Sequence, residues 1–387
     1  MIRYLTAGES HGEALIGIVE GCPAGVPLVA DDINGHLARR WLGFGRGGRA
    51  KLEQDRVHIY AGVRFSRTIG SPIALRIDNA AFSRDKAGWP TVMAIDGDGE
   101  GVEPVTLPRP GHADLVGYQK YRFSDIRPVI ERSSARETAM RVACCTVARQ
   151  FLAALGIRIC SHVLQIGEVG YESTDDARQR SAELGDAVNA SADESETRML
   201  DAELTRAAIE HIRDAKERGD SLGGRYEVVV TGVPAGLGSY VHWDRRLDGL
   251  LAQAIMSIPA QKAVEIGDGV DNASKPGSQV HDEINTDYSR ASNRAGGVEG
   301  GVSNGMPIVI RGYMKPIPTL ISPLGSVDVQ SGEAQPTRYE RSDVTSVPAA
   351  SVVAESVVAV PIANAVLEKY GGDSLEEILE RFEGVRS

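Results

Sequence analysis

Gly21-Cys22-Pro23-Ala24-Gly25 and Gly232-Val233-Pro234-Ala235-Gly236 are two occurrences of one turn, Gly-x-Pro-Ala-Gly. Each is entered from a strand-like run, Ala14-Leu15-Ile16-Gly17-Ile18-Val19 in the first case and Tyr226-Glu227-Val228-Val229-Val230 in the second. Each is left toward a helical pattern. The first helix should start near Asp31, with Asp31 or Asp32 as its cap, and run through His36, Leu37 and Trp41. The second should lie between Trp243 and Ile258. Glycine at both ends lets the chain bend tightly, and proline fixes the middle. Strand, turn and helix, met twice, predict two related β-turn-α units within one pseudo-symmetric α/β domain.

Other segments fill in around these units. Asp201 to Arg218 reads as a helix ended by Gly219, and Ser374 opens a closing helix that reaches Phe382. Val352 to Leu367 is apolar almost all round, which predicts a buried helix bent near Pro361. Two acidic stretches without periodicity, Asp96 to Gly101 and Glu172 to Glu196, read as surface loops.

The 387 residues carry a formal net charge of -11, are 42% hydrophobic and 25% charged, and include 43 glycines. This is the composition of an ordinary globular chain, and it is long enough for one large or two medium domains. Negative net charge argues against a general nucleic-acid or membrane-surface binder. No signal peptide is expected, and no apolar stretch approaches the roughly 20 residues that span a bilayer. Cys22, Cys144, Cys145 and Cys160 follow no metal-ligand spacing and read as buried, reduced thiols of a cytoplasmic protein. His281-Asp282-Glu283 are adjacent loop residues that would not converge on one ion, so no metal site is expected. His36, His58, His162, His211 and His242 have no supporting frame and read as structural or surface residues.

Against this acidic background the cations gather. Arg39, Arg40, Arg46 and Arg49 form one cluster; Arg127, Arg132 and Arg136 form another. Two histidines sit in small glycine-rich frames, Gly8-Glu9-Ser10-His11-Gly12 and Arg109-Pro110-Gly111-His112-Ala113-Asp114. Such frames let backbone approach a ligand closely, and the pattern points to a small, multiply charged anion. Gly43-Phe44-Gly45-Arg46-Gly47-Gly48 matches the spacing of a dinucleotide fingerprint, but it follows a helix rather than a strand and reads as an arginine-bearing loop. Ser134 and Glu137 have capping-box spacing ahead of a helical run, with Arg132 and Ser133 at its mouth, a place suited to phosphate. The Asn293–Gly301 run and the Lys315-Pro316-Ile317-Pro318-Thr319 run could lay backbone amides and a positive charge against a ring or phosphate. Arg341-Ser342-Asp343 precedes the buried helix, and Asp343 reads equally as a structural residue, a cap or an ion-pair partner of Arg341, and as a functional one.

Together with Gly219-Asp220-Ser221-Leu222-Gly223-Gly224 and Val264-Glu265-Ile266-Gly267, these runs resemble the chorismate synthase family over nearly the whole chain, in family order and with no motif broken. The segments near 83–105 and 172–198 fall outside the resemblance and read as irregular surface insertions. The resemblance implies one large domain over 1–387, an α+β layered sandwich of helices and sheets, assembled as a homotetramer. It also implies the activity: 5-enolpyruvylshikimate 3-phosphate loses phosphate and a ring proton in a 1,4-elimination that yields chorismate. Reduced FMN is required although no net electrons change hands, and NADPH is a possible reductant. His11, His112 and Asp343 would be the catalytic residues. Flavin would be held by Arg132, Ser133, Ser134, Pro259, Ala260, Gly300, Lys315 to Thr319 and Arg341. Arg40, Arg46, Arg49 and Ser10 would hold substrate or a nicotinamide phosphate. An FMN-dependent oxidoreductase and a non-catalytic phosphate-ligand binding protein are the alternatives.

Overall fold

Both Gly-x-Pro-Ala-Gly turns form, with closely matched backbone. In the computed structural model, which describes residues 1–46, 55–83, 88–337 and 343–384, Gly21 and Gly232 have φ of 76° and 77°, and Gly25 and Gly236 have 86° and 91°. Strand Ala14–Glu20 leads into the first turn and helix Ala30–Trp41 follows it. Strand Gly224–Thr231 leads into the second, followed by a 3-10 turn, Trp243–Arg245, and helix Leu247–Met256. A Cβ at Gly21 would collide with the Met1 carbonyl and one at Gly232 with the Gly156 carbonyl, so both turns require glycine for space as well as for φ.

The chain is layered. Strands Arg3–Ala7, Ala14–Glu20, Ile73–Asp78 and Val57–Ala61 form one sheet in that order. Strands Gln261–Ile266, Ile308–Met314, Gly224–Thr231, Arg158–Ile166 and Val169–Gly170 form a second. Neighbours in both are antiparallel. Helix Thr138–Ala154 packs on the first sheet and helix Val347–Tyr370 on the second, and the two pack against each other. Gly17 permits the first of these contacts, because a Cβ there would strike Met140 Sδ and Cys144 Sγ. The largest buried apolar cluster draws on both sheets and runs from Ile2 to Phe382.

Helix Val347–Tyr370 is longer than the sequence suggests and continues through Pro361. With 24 residues and a mean hydropathy of 1.8 in its most apolar window, it meets the length and composition of a membrane span, contrary to the sequence reading. It is instead enclosed between the helix layer and the second sheet, with 78% of that window buried. Its one charged residue in the buried stretch, Glu355, is fully enclosed. Glu355 accepts from Arg39 Nη1 (2.7 Å) and Nη2 (2.8 Å), Arg149 Nη1 (2.6 Å), Arg198 Nη2 (3.4 Å) and Ser161 Oγ (2.6 Å). Burial opposes its ionisation, but the three guanidiniums hold its carboxyl well below the usual range. Beside this cluster, burial and Arg149 press the His36 imidazole down to about 3, so it stays neutral.

The acidic stretch after Glu172 is not a loop. It folds as helix Thr174–Leu184, a 3-10 turn and helix Val188–Glu194. Ser173 Oγ caps the first by accepting from the Asp176 amide at 3.1 Å, and Asp175 and Asp176 lie at its positive end. Ala177, Ser181, Val188 and Ala192 give it a narrow buried stripe, too weakly apolar to stand out as a period. Asp96 to Gly101 is exposed turn and bend, as expected.

On the outer face of the second sheet Glu227, 1% exposed, accepts from Arg311 Nε at 2.8 Å and lies 3.3 Å from His162 Nε2. Burial would raise its pKa, but His162 and Arg311 outweigh that and hold it at about 2, below the ordinary 4.5. A depressed carboxyl stabilises the fold above about pH 4.5, and that stability is lost as pH falls through about 2. Glu227→Gln should therefore cost about 1–3 kcal/mol at neutral pH, because Arg311 loses its Nε partner but keeps Asp268 at 3.3 Å and Glu265 at 3.6 Å. It should also flatten the acid limb of the urea-unfolding midpoint between those two pH values. An unchanged acid limb would contradict this assignment.

Candidate active site

Helix Arg127–Ser133 carries the organising residue of the first histidine frame. Glu131, its side chain fully buried, accepts the His11 amide at 2.8 Å and faces His11 Nδ1 at 2.9 and 3.1 Å through its two oxygens. Its main-chain carbonyl accepts the Ser10 amide at 3.1 Å. Burial alone would raise the Glu131 pKa, but the His11 bonds and the Arg127 charge reverse that and keep it ionised. The His11 ring stacks on Trp89, with centroids 3.9 Å apart and planes 10° from parallel. Trp89 belongs to the stretch read as an irregular insertion, and nothing in its local pattern marks it.

The second frame repeats the arrangement at shorter range. Asp114 is fully buried at the start of helix Asp114–Tyr121 and takes the His112 Nδ1 bond on Oδ1. Its Oδ2 accepts from Arg109 through the backbone amide (3.0 Å) and Nε (2.8 Å). Burial would raise the Asp114 pKa, but His112 and Arg109 force it well below the carboxylate range. In both frames Nδ1 faces a buried anion and Nε2 points away from it; on His112 the Arg109 Nη2 lies 3.5 Å from Nε2. The two frames are tied together where helix Asp114–Tyr121 meets helix Arg127–Ser133. Gly117 lies so close to Val129 there that a Cβ would overlap its side chain.

Arginine placement separates residues that sequence spacing grouped together. Arg39 turns into the Glu355 cluster. Arg40 donates to Thr138 Oγ1 (3.0 Å) and the Ala135 carbonyl (2.9 Å), and lies 3.7 Å from Asp55. Its Nη1 is buried with no hydrogen-bond partner among the described residues. Burial, followed by the nearby Arg46 and Arg136 charges against that of Asp55, lowers it to about 10, still protonated at neutral pH. Arg136 bonds Asp55 and donates from Nε to Asn79 Oδ1 at 2.9 Å. Asn79 in turn donates to the Glu9 (3.1 Å) and Gly12 (2.7 Å) carbonyls, which links the cluster to the His11 turn. Arg46 pairs with Asp343 at 2.9 Å, and Ser346 Oγ donates to Asp343 at 3.1 Å. Arg49 and Arg341 lie outside the described residues.

The residues expected around flavin divide in the same way. Arg132 and Ser133 end helix Arg127–Ser133, and Ser134 caps the 3-10 turn Ala135–Glu137 that runs on into helix Thr138–Ala154, so the two residues close one helix directly ahead of the next. Arg132 donates to the Thr6 carbonyl (3.1 Å) and Oγ1 (3.2 Å), and reaches the Gly8 carbonyl at 3.5 Å. Ser134 Oγ accepts from the Arg136 amide at 3.3 Å, but Glu137 does not close a capping box. It turns instead to Thr6 Oγ1 (2.8 Å) and Arg141 Nε (3.0 Å). Ala260 follows Pro259 with φ of 66°, unusual for a residue with a side chain, and its carbonyl accepts the Lys315 amide at 3.0 Å. Lys315 Nζ donates to the Gly111 carbonyl, joining the Lys315 to Thr319 run to the His112 frame. Beneath that run the Ser221 hydroxyl donates to the Ile317 carbonyl at 2.7 Å. Gly223 lies against the Met314 carbonyl and the Lys315–Pro316 peptide, which explains the Gly219–Gly224 motif.

Gly300 stands apart. It forms the exposed tip of the hairpin Val298–Glu299/Val302–Ser303, next to the Gly301 carbonyl that accepts from Leu247 at the start of helix Leu247–Met256. Pro259 and Ala260 follow the other end of that helix, about 15 Å away at 1.5 Å per residue. Gly296 and Gly297 fit backbone against Gly267 and the Met306 and Pro307 carbonyls, leaving no room there for a ligand.

Comparison with known proteins places this arrangement. The chorismate synthase family model matches residues 2–367. The chain is 63% identical to the chorismate synthase of Salinibacter ruber, covering 100% of this chain and 99% of that one. It is 56% identical to the enzyme of the same name from Chlorobaculum tepidum, with 100% and 98% covered. A solved structure titled "Crystal Structure of Chorismate Synthase" superposes with a TM-score of 0.80 at 42% identity, covering 99% of this chain and 97% of that one. With partly buried histidines backed by fully buried carboxylates, and a family match over almost its full length, the chain belongs to the chorismate synthase family, a family of lyases.

Proposed function

We propose that the chain eliminates phosphate from 5-enolpyruvylshikimate 3-phosphate in a 1,4-sense to give chorismate, with reduced FMN bound. The observation that carries this reading is the pair of histidines, each held at Nδ1 by a fully buried carboxylate, beside a set of arginines and a lysine. The substrate loses a C–O bond to phosphate and a C–H bond from the ring, so electrons balance without an oxidant.

The residues present fit a phosphate-bearing flavin and a tri-anionic substrate. Arg40 Nη1 is a buried donor with no hydrogen-bond partner among the described residues. Arg132 is 45% exposed, and Lys315 spans the gap to Gly111, where a Cβ would come within 3.2 Å of Nζ. Arg132, Ser133, Ser134, Pro259, Ala260, Lys315 to Thr319 and Arg341 would hold the flavin, with Gly300 approaching from the hairpin. When bound, reduced flavin supplies the electron-rich ring that the elimination requires. His112 donates from Nε2 to the leaving phosphate, beside the Arg109 charge. His11 stabilises negative charge at the flavin's pyrimidine edge. Asp343, oriented by Arg46 and Ser346, assists removal of the ring proton. Arg40, Arg46, Arg49 and Ser10 hold the substrate's anionic groups, or a nicotinamide phosphate where NADPH serves as reductant.

Mixed anaerobically with pre-reduced FMN and substrate, the protein should release many equivalents of phosphate per flavin. His11→Ala and His112→Ala should each lower kcat roughly ten- to a thousandfold while still binding FMN. Phosphate release that tracks reductant consumed would indicate an oxidoreductase, and binding without release a non-catalytic protein. Full turnover by both histidine variants would remove the two-histidine mechanism.

We also take the chain to be a single domain, its two β-turn-α units to be pseudo-symmetric counterparts, and its assembly in the cytoplasm to be a homotetramer. A solution mass near four times 41.3 kDa is expected. A monomer at micromolar concentration would contradict the assembly.

A further inference from the structure

Glu131 does more than neutralise a neighbour. Two donors of one residue, the His11 amide and Nδ1, converge on its carboxylate, and its own carbonyl accepts the amide before them. The Gly8–Gly12 turn is thereby fixed to helix Arg127–Ser133 at three points. Trp89 covers one face of the ring, and Arg127 lies over Trp89 (5.6 Å) and beside Glu131 (3.7 Å), so rotation of the ring meets resistance. The His11 side chain remains 23% exposed while that of Glu131 is fully enclosed, so the carboxylate acts on any ligand only through the imidazole.

We propose that Glu131 is the positioning residue of His11: it fixes the proton on Nδ1 and the ring's orientation, so that Nε2 is the atom presented to the bound ligands. This rests on the role given to His11 above. A carboxylate is required because both converging groups are donors. Oε2 lies on both donors, but Oε1 also faces Nδ1 at 3.1 Å, so glutamine would set an amide N–H there against the Nδ1 proton and favour the other tautomer of the ring. The geometry therefore selects glutamate at a position where a shape-matched amide would otherwise pass. Histidine ligands and bases elsewhere depend on a partner of the same kind behind the second ring nitrogen.

The test is a double-mutant cycle on the full chain, read as phosphate release with pre-reduced FMN. Glu131→Gln should lower kcat at least tenfold, with FMN affinity within twofold of the parent. The His11→Ala/Glu131→Gln double variant should turn over no more slowly than His11→Ala alone, because a residue acting only through His11 has nothing left to position. Additive losses would overturn the proposal and assign Glu131 a general structural role. If His11→Ala is impaired but Glu131→Gln keeps the parent kcat, the proposal fails while the role of His11 stands. If His11→Ala itself keeps full turnover, both fail. Should Glu131→Gln not fold, ring ¹⁵N signals of the parent decide the matter, with the His11 signals assigned by their loss in His11→Asn. A proton on His11 Nδ1 is expected, whether or not Nε2 also carries one, and a ring protonated on Nε2 alone would overturn the proposal.

Discussion

A single enclosed carboxylate sets the frame. Helix Val347–Tyr370 is apolar on almost every side, so hydrophobic burial by itself would leave its rotation and register loosely specified. Glu355 removes that freedom, because its two oxygens must meet Arg39 from helix Ala30–Trp41, Arg149 from helix Thr138–Ala154, Ser161 from the second sheet, and Arg198. Breaking one partner of such a buried group is costly, whereas the intact set is satisfied only in one arrangement of the layers. The consequence reaches the site. Adjacent residues on a helix point about 100° apart, so fixing Arg39 inward sends Arg40 toward Asp55, Thr138 and the segment that carries Arg132 to Arg136.

From that segment the site is built on one device used twice. An acidic chain can handle anions because its acids there lie behind the cationic groups. Glu131 and Asp114 are fully buried, ionised and turned toward His11, His112 and Arg109, while Arg132, Lys315 and the imidazoles retain exposed surface. Net charge describes the whole surface, whereas in these two frames the carboxylates are enclosed and the cationic groups lie toward solvent. The tight Gly117–Val129 contact packs the two helices that carry Asp114 and Glu131 against each other.

Much of this was legible in the chain itself. The repeated turn located two strand–turn–helix units, and the glycine-rich frames located both histidines, because each depends on residues a few positions apart. What local spacing hides is partnership at a distance. Glu131 and His11 are separated by 120 positions, and Arg136 and Asp55 by 81. Arg39 and Arg40 looked alike in sequence and differ entirely in environment. The stretch 174–194 looked like loop because its buried stripe consists of alanine, serine and valine. The 24-residue helix was underestimated because serines, Glu355 and Pro361 interrupt its apolar run, although burial and hydrogen bonding satisfy all of them within the core.

The most direct measurement is a crystal structure of the ternary complex with FMN and 5-enolpyruvylshikimate 3-phosphate. Nε2 of His112 should lie within hydrogen-bonding distance of the substrate phosphate and Nε2 of His11 within that of the flavin, with Glu131 and Asp114 still on Nδ1 of each. Ligands seated elsewhere on the chain, or imidazoles turned so that Nδ1 meets the ligand and the carboxylates are left without them, would contradict the account.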